Sequence, residues 1–192
     1  MRGFTAVELL VSIAIVALIT TLTLVDFRSA TRLVRLELEA QKIALEIRRA
    51  QSLAAHARQF AGTAPCGYGL YFDPLVSPGP GSFIIFAELT SLPGGCSEPF
   101  SYVSESAAVD ADGTVEQVRL NEDVQITALS QPRLTVFFLT PAPTTSFSSV
   151  VGGTLSPVVA PEVSITVALK SEPSIERRIV IRRSGQISIV TP

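Results

Sequence analysis

Hydrophobic and polar positions are distributed along the chain in three successive patterns. From Phe4 to Val25 the residues are almost all apolar, with Glu8 as the one charged residue and no Gly or Pro. At 1.5 Å per residue such a run makes a helix of roughly 33 Å, about the thickness of a bilayer core. From Asp26 to Phe60 the pattern becomes amphipathic. Leu33, Leu36, Ala40, Ile43, Ile47, Ala50, Ala54 and Ala57 recur at three- and four-residue steps, with Arg32, Arg35, Glu39, Lys42, Glu46, Arg48 and Arg49 on the other faces. One continuous helix from about Phe4 to Phe60 follows, ended by Gly62 and Pro65. Glu39 and Lys42 stand three residues apart, the spacing of an exposed helical pair.

After Pro65 the period shortens to two. Gly67–Asp73, Ser82–Leu89, Thr114–Leu120, Val124–Leu129, Arg133–Thr140, Glu162–Lys170, Ile175–Arg183 and Gln186–Val190 read as strands. Ser184 and Gly185 form a tight turn between the last two. Pro74–Pro80, Pro141–Pro143 and Ser156–Pro161 read as loops or edges. A long helix followed by antiparallel strands predicts an α+β fold: a spine helix, half transmembrane and half amphipathic, packed on an antiparallel sheet.

Arg2 and the starting amine precede the apolar run and Asp26 follows it, so the positive-inside bias puts Met1 in the cytoplasm and the remainder outside. A cleaved secretory signal fits less well, because helical periodicity continues through Asp26, Phe27 and Arg28. The expected location is therefore a single pass through the cytoplasmic (inner) membrane with an extracytoplasmic domain. Cys66 and Cys96 would then stand in an oxidising compartment. Paired, they close a loop of about thirty residues worth roughly 3–4 kcal/mol; two separately buried thiols are the alternative.

Composition excludes more than it suggests. The net charge of −2 gives no electrostatic footprint for nucleic acid. One histidine, His56, on a helix with no second His or Cys in reach, leaves little for metal or triad chemistry, and no G-x-S-x-G or phosphate-binding glycine loop occurs. No catalytic residue and no cofactor is assigned. Asp110, Asp112 and Glu116 have the opening rhythm of a calcium loop. However, the twelfth position is Asn121, so a polar turn is the better reading and Asp110 and Asp112 are weak metal candidates. The pairs Arg177–Arg178 and Arg182–Arg183 read as a solvated strand face that blocks edge aggregation.

Glu8 carries the most information. A carboxylate in an apolar segment costs several kcal/mol unless it is partnered. The stretch Gly3, Phe4, Thr5, Ala6, Val7, Glu8, Leu9, Leu10 and Val11 resembles the processing signature of type IV prepilins and type II secretion pseudopilins. That resemblance implies cleavage by prepilin peptidase between Gly3 and Phe4, methylation of the Phe4 amine, and an assembly role for Glu8. It divides the chain into a leader (1–3), a transmembrane and filament-core half-helix (4–25), an amphipathic half (26–61) and a β-rich domain (62–192). Arg49–Ala54, Gly67–Asp73, Ile84–Glu88 and the closing Ile181–Ile187 run resemble minor pseudopilins of the H type and FimT-like minor pilins. The leader is short, and no Pro stands near Thr23–Asp26, where many of that family have one.

The resemblance implies a structural subunit of a type II secretion pseudopilus or type IV pilus, first stored in the membrane and then part of a periplasmic or cell-surface filament. Its partners would be other pilin or pseudopilin subunits, prepilin peptidase, an inner-membrane assembly platform and membrane lipid, with no nucleic acid. The alternatives are a DNA-uptake or ligand-binding minor pilin using Arg182 and Arg183, and a single-pass membrane-anchored binding protein outside any filament.

Overall fold

The computed structural model describes residues 5–75, 79–89, 96, 100, 112–141 and 144–191; the side chains of residues 22–29 and of Asp112 lie outside that description. Helix α1 spans Ala6–Ala55, and ten strands follow it: β1 (Pro65–Phe72), β2 (Ser82–Leu89), β3 (Asp112–Arg119), β4 (Val124–Leu129), β5 (Leu134–Leu139), β6 (Thr145–Val151), β7 (Thr154–Pro157), β8 (Glu162–Leu169), β9 (Glu176–Arg182) and β10 (Ile187–Val190). The chain divides into two compact units, Met1–Arg35 and Leu36–Pro192.

In the larger unit the strands form two antiparallel sheets, one of six strands in the order β3-β2-β1-β5-β6-β7 and one of four in the order β10-β9-β8-β4. The period-two alternation gives the six-stranded sheet two buried faces. Tyr68, Leu70, Phe72, Phe83, Ile85, Ala87, Val118, Leu134, Val136, Phe138 and Phe147 join the main core, together with Val163, Ile165, Val167, Leu169, Ile179 and Ile181 of the four-stranded sheet. The same core takes Leu36, Ala40, Ile43, Ile47, Ala50 and Ala54 of α1. The alanines of that stripe let the helix backbone approach closely, and the larger side chains fill the space between the sheets.

Polar contacts fix the helix against the strands. The Arg177 Nε donates to Glu37 Oε2 at 2.9 Å. Lys42 Nζ donates to the Arg119 carbonyl at 2.6 Å and lies 3.7 Å from Glu39 Oε2. Arg49 bridges Glu46 and Glu116 at 3.1 and 2.8 Å. The hydrogen bonds from Arg177 and Gln41 hold the Glu37 carboxyl below its ordinary pKa, and those from Glu116 and Glu46 raise that of Arg49.

Two expectations are corrected here. The fold is not a long spine helix, half transmembrane, on one antiparallel sheet. β-structure in two sheets dominates, and within the larger unit only Leu36–Ala55 of α1 takes part. Nor does the single-pass inner-membrane location stand, since among the described residues no helix is long and apolar enough to cross a membrane.

The helix also stops earlier than its periodicity suggests. Ala57 takes a left-handed φ of 45°, its N–H bonds to the Ala54 carbonyl at 3.0 Å, and the Arg58 N–H reaches the Leu53 carbonyl at 3.2 Å. That is a Schellman stop with alanine, not Gly62, in the left-handed place. Tyr68 Oη then donates to the Arg58 carbonyl at 2.7 Å, tying the stop to β1, and burial pushes the Tyr68 phenol up. Strands β6 and β7, joined through Gly152 and Gly153, fall where no strand was expected, and the end of β7 overlaps Ser156–Pro161, which read as a loop or edge.

Candidate functional site: an exposed apolar helix

The smaller unit carries the N-terminal part of α1. Thr5 caps it: the Leu9 N–H donates to the Thr5 carbonyl at 3.2 Å, and the Glu8 N–H to Thr5 Oγ1 at 3.3 Å. Threonine followed three residues later by glutamate is the sequence sign of a capping box, and here the threonine half is formed. Glu8 sits in the first helical turn, where the free amide N–H groups make the local potential positive and favour a carboxylate. Its side chain is exposed and, among the described residues, has no hydrogen-bond or ion-pair partner.

Every residue from Thr5 to Thr21 is exposed. Val7, Leu9, Leu10, Val11, Ile13, Ile15, Val16, Leu18 and Ile19 keep between 53% and 70% of their surface open. The few hydroxyls are turned inward along the backbone: Ser12 donates to the Glu8 carbonyl and Thr20 to the Val16 carbonyl, each at 2.7 Å. Their polarity is thereby satisfied within the helix, which leaves an apolar surface on all sides. A helix with no polar face is normally a buried one. Covering these nine side chains would contribute on the order of 10 kcal/mol before the entropic cost of association.

Of the other residues singled out in the sequence, Gly3, Phe4 and Asp110 lie outside the described residues, and Asp112 is placed only as the first residue of β3. Among the described residues no group of three His, Cys, Asp or Glu side chains gathers for a metal. Cys66 and Cys96 are bonded, with Cα atoms 5.2 Å apart. His56 Nδ1–H donates to the Ser52 carbonyl at 2.7 Å, at the exposed end of the helix. Arg182 and Arg183 are engaged in the fold. Arg182 binds Glu162 at 3.2 Å and Gln186 Oε1 at 2.8 Å. Arg183 donates to the carbonyls of Ala160 and Val158 at 2.9 and 2.5 Å, and its guanidinium lies 5.8 Å from the Phe147 ring centre.

Sequence reasoning missed two side-chain arrangements. The Thr5 cap was legible as its T-x-x-E spacing. The second is Asp73, only 2% exposed, which pairs with Arg133 at 3.2 Å and accepts from Tyr71 Oη at 3.2 Å and the Leu75 N–H at 3.0 Å. Sixty residues separate Asp73 from Arg133 in the sequence, and no local pattern announces the pair.

Comparison with protein-family models, with curated proteins and with solved structures returns no match.

Proposed function

We propose that this chain is a filament subunit of the pilin-like kind, cut between Gly3 and Phe4 by a prepilin peptidase and methylated at Phe4. Its apolar helix then packs among the corresponding helices of other pilin or pseudopilin subunits. The observation that carries this reading is the Thr5–Thr21 helix, which is apolar all round and exposed at every residue. The cleavage-site resemblance of Gly3 to Val11 supplies the processing step. In a helical bundle Glu8 leaves water, and the amine created on a neighbouring subunit by cleavage matches its charge in a low-dielectric setting. Neither charge is well accommodated alone there, so the pair would set the axial stagger between subunits. No catalytic step is required of any side chain.

The DNA-uptake alternative is weakened by geometry, because Arg182 and Arg183 already hold Glu162, Gln186 and two backbone carbonyls. The test is assembly. Purified filaments should contain a chain that begins at methylated Phe4, read by mass spectrometry, and Glu8→Gln should fall out of them while folding normally. Filaments that retain Met1–Gly3, or that take up Glu8→Gln at the native level, would end this reading.

A further inference from the structure

The edges of the two sheets are closed to different degrees. Both faces of the six-stranded sheet are covered, the outer one by a smaller core of Cys66, Tyr71, Ile84, Phe86, Phe100 and Phe137. Its edge strand β7 ends on Pro157, which has no N–H to offer a further strand. In the four-stranded sheet β4 is one edge, and its Ile126 N–H is taken by the Pro80 carbonyl at 2.7 Å. The other edge is β10, and it is open.

The register shows what that edge presents. The Arg182 N–H donates to the Gln186 carbonyl at 2.9 Å, so these two face each other as a hydrogen-bonded pair where the hairpin closes. Antiparallel pairing alternates from there. Val180 with Ser188 and Arg178 with Val190 exchange bonds, whereas the N–H and C=O groups of Ile187 and Ile189 point away from β9. Among the described residues no backbone hydrogen bond closes on that outer side. The side chains of Ile187 and Ile189 pack against the main core but are only half-buried, while Ile181 and Ile179, their partners on β9, are fully buried. The cover is incomplete on the β10 side.

Two residues past Ile189, Thr191 helps line a cavity of about 250 Å³ with Ser174, Ile175, Glu176 and Arg177. Arg177 uses Nε on Glu37 and Nη1 on the Glu176 carbonyl, at 2.9 and 3.0 Å, and its Nη2 makes no hydrogen bond among the described residues. Strand alternation turns the Glu176 side chain to the opposite face of β9 from Arg177. The groups facing the cavity are therefore one guanidinium edge and the hydroxyls of Ser174 and Thr191. Such a set of donors takes acceptor oxygens, and a carboxylate best of all.

We propose that the open edge of β10 is a docking site for an extended acidic segment of another protein, which adds to the four-stranded sheet as a fifth strand. The segment runs antiparallel to β10, as every neighbour in this sheet does, and its backbone pairs with Ile187 and Ile189. Two apolar side chains in alternate positions cover those isoleucines, and a Glu or Asp two residues before the first of them reaches Arg177. The recognised pattern is thus acid, any residue, apolar, any residue, apolar. A second copy of this chain fits worse as the occupant, because its own open edge, Ile187–Val190, carries no acid. The site uses no residue of the Thr5–Thr21 helix, so it stands or falls apart from the assembly reading.

The experiment titrates the full chain with a fluorescent, end-capped peptide of seven residues, all Thr except Glu at the second position and Val at the fourth and sixth. Binding is read by anisotropy, with amide exchange in parallel. The expected result is saturation with a Kd below about 1 mM and slowed exchange at Ile187 and Ile189. The peptide with Gln in place of Glu should bind about tenfold more weakly, having lost a charge-assisted hydrogen bond. Ile189→Pro removes an outward N–H without breaking a bond of the β9–β10 pair, so it should keep the native circular dichroism and lose the peptide. Should that variant unfold, a peptide N-methylated at both Val residues removes the same pairing from the other side and should not bind. Unchanged exchange at Ile187 and Ile189, equal affinity for the Glu and Gln peptides, or undiminished binding of the methylated peptide overturns the proposal. So does protection of those two amides that grows with protein concentration in the absence of peptide, since a second copy would then be the occupant.

Discussion

Replacing Ile47 by alanine tests whether the helix is held by the packing described above. Ile47 is fully buried in the main core, in the stripe that also contains Ile43 and Ala50. The substitution removes three carbons. Their transfer to water costs about 0.8 kcal/mol each, and the space left in a core that cannot fully collapse adds about 1–2 kcal/mol. The loss should therefore be about 3–4 kcal/mol, which with an ordinary urea dependence moves the unfolding midpoint down by about 1.5–2 M at constant slope. Leu45, two residues away on the same helix, is 60% exposed, and Leu45→Ala should change stability by less than about 0.5 kcal/mol. Ile13→Ala, in the exposed apolar segment of the smaller unit, should leave the midpoint of the larger unit where it is. Urea titration followed by circular dichroism gives all three numbers. Equal losses for Ile47→Ala and Leu45→Ala would refute the burial pattern, and a loss below about 1 kcal/mol for Ile47→Ala would refute the packing of this stripe in the main core.

Three further outcomes are expected. Because the Glu37 pKa is lowered in the folded chain, chiefly by the Arg177 hydrogen bond, the pair stabilises above the ordinary carboxylate pKa and is lost as pH falls through the lowered one. Arg177→Gln should flatten the decline in stability below about pH 4.5, by under about 1 kcal/mol because Glu37 is partly exposed, and an unchanged acid slope would contradict this. Gly69→Ala should destabilise by about 1–3 kcal/mol in thermal melts, since a Cβ there would stand 2.6 Å from the Phe86 ring and 2.8 Å from that of Phe137; a neutral effect would mean the outer core is loose. Thr5→Ala should fray the start of α1 by about 1 kcal/mol, seen as faster amide exchange at Glu8 and Leu9 with no change in the larger unit, and unaltered exchange there would remove the cap.

The elements that the sequence displayed well are those whose burial follows a local period. Of the stripe readable from its spacing, Leu36, Ala40, Ile43, Ile47, Ala50 and Ala54 are in the main core, while its two ends, Leu33 and Ala57, are exposed. β2 and β4 occupy the residues their alternation indicated, and β1, β3, β5, β8, β9 and β10 differ only at their ends. β6 was not readable, because Thr145, Ser146, Ser148 and Ser149 look like loop residues and become buried only between β5 and β7. The Gly152–Gly153 turn, with both φ values positive, joins two strands that lack apolar alternation, so no period of two marks the hairpin in the sequence. The helix stop was misplaced for a similar reason: Ala57 has no intrinsic preference for the left-handed conformation and adopts it with Tyr68 bound to the next carbonyl.

By itself the sequence determined the apolar character of the first helix, the position of Glu8 within it, the amphipathic stripe and most strand locations, since each depends on residues close in the chain. Tertiary structure alone decided that the strands divide between two sheets, that Asp73 meets Arg133, that Arg182 and Arg183 are tied into the fold, and that Phe100 covers a second aromatic face. Those are choices among long-range pairings of comparable local quality. They are settled by which arrangement buries both faces of the six-stranded sheet and still satisfies its polar groups, a condition no short window of sequence contains.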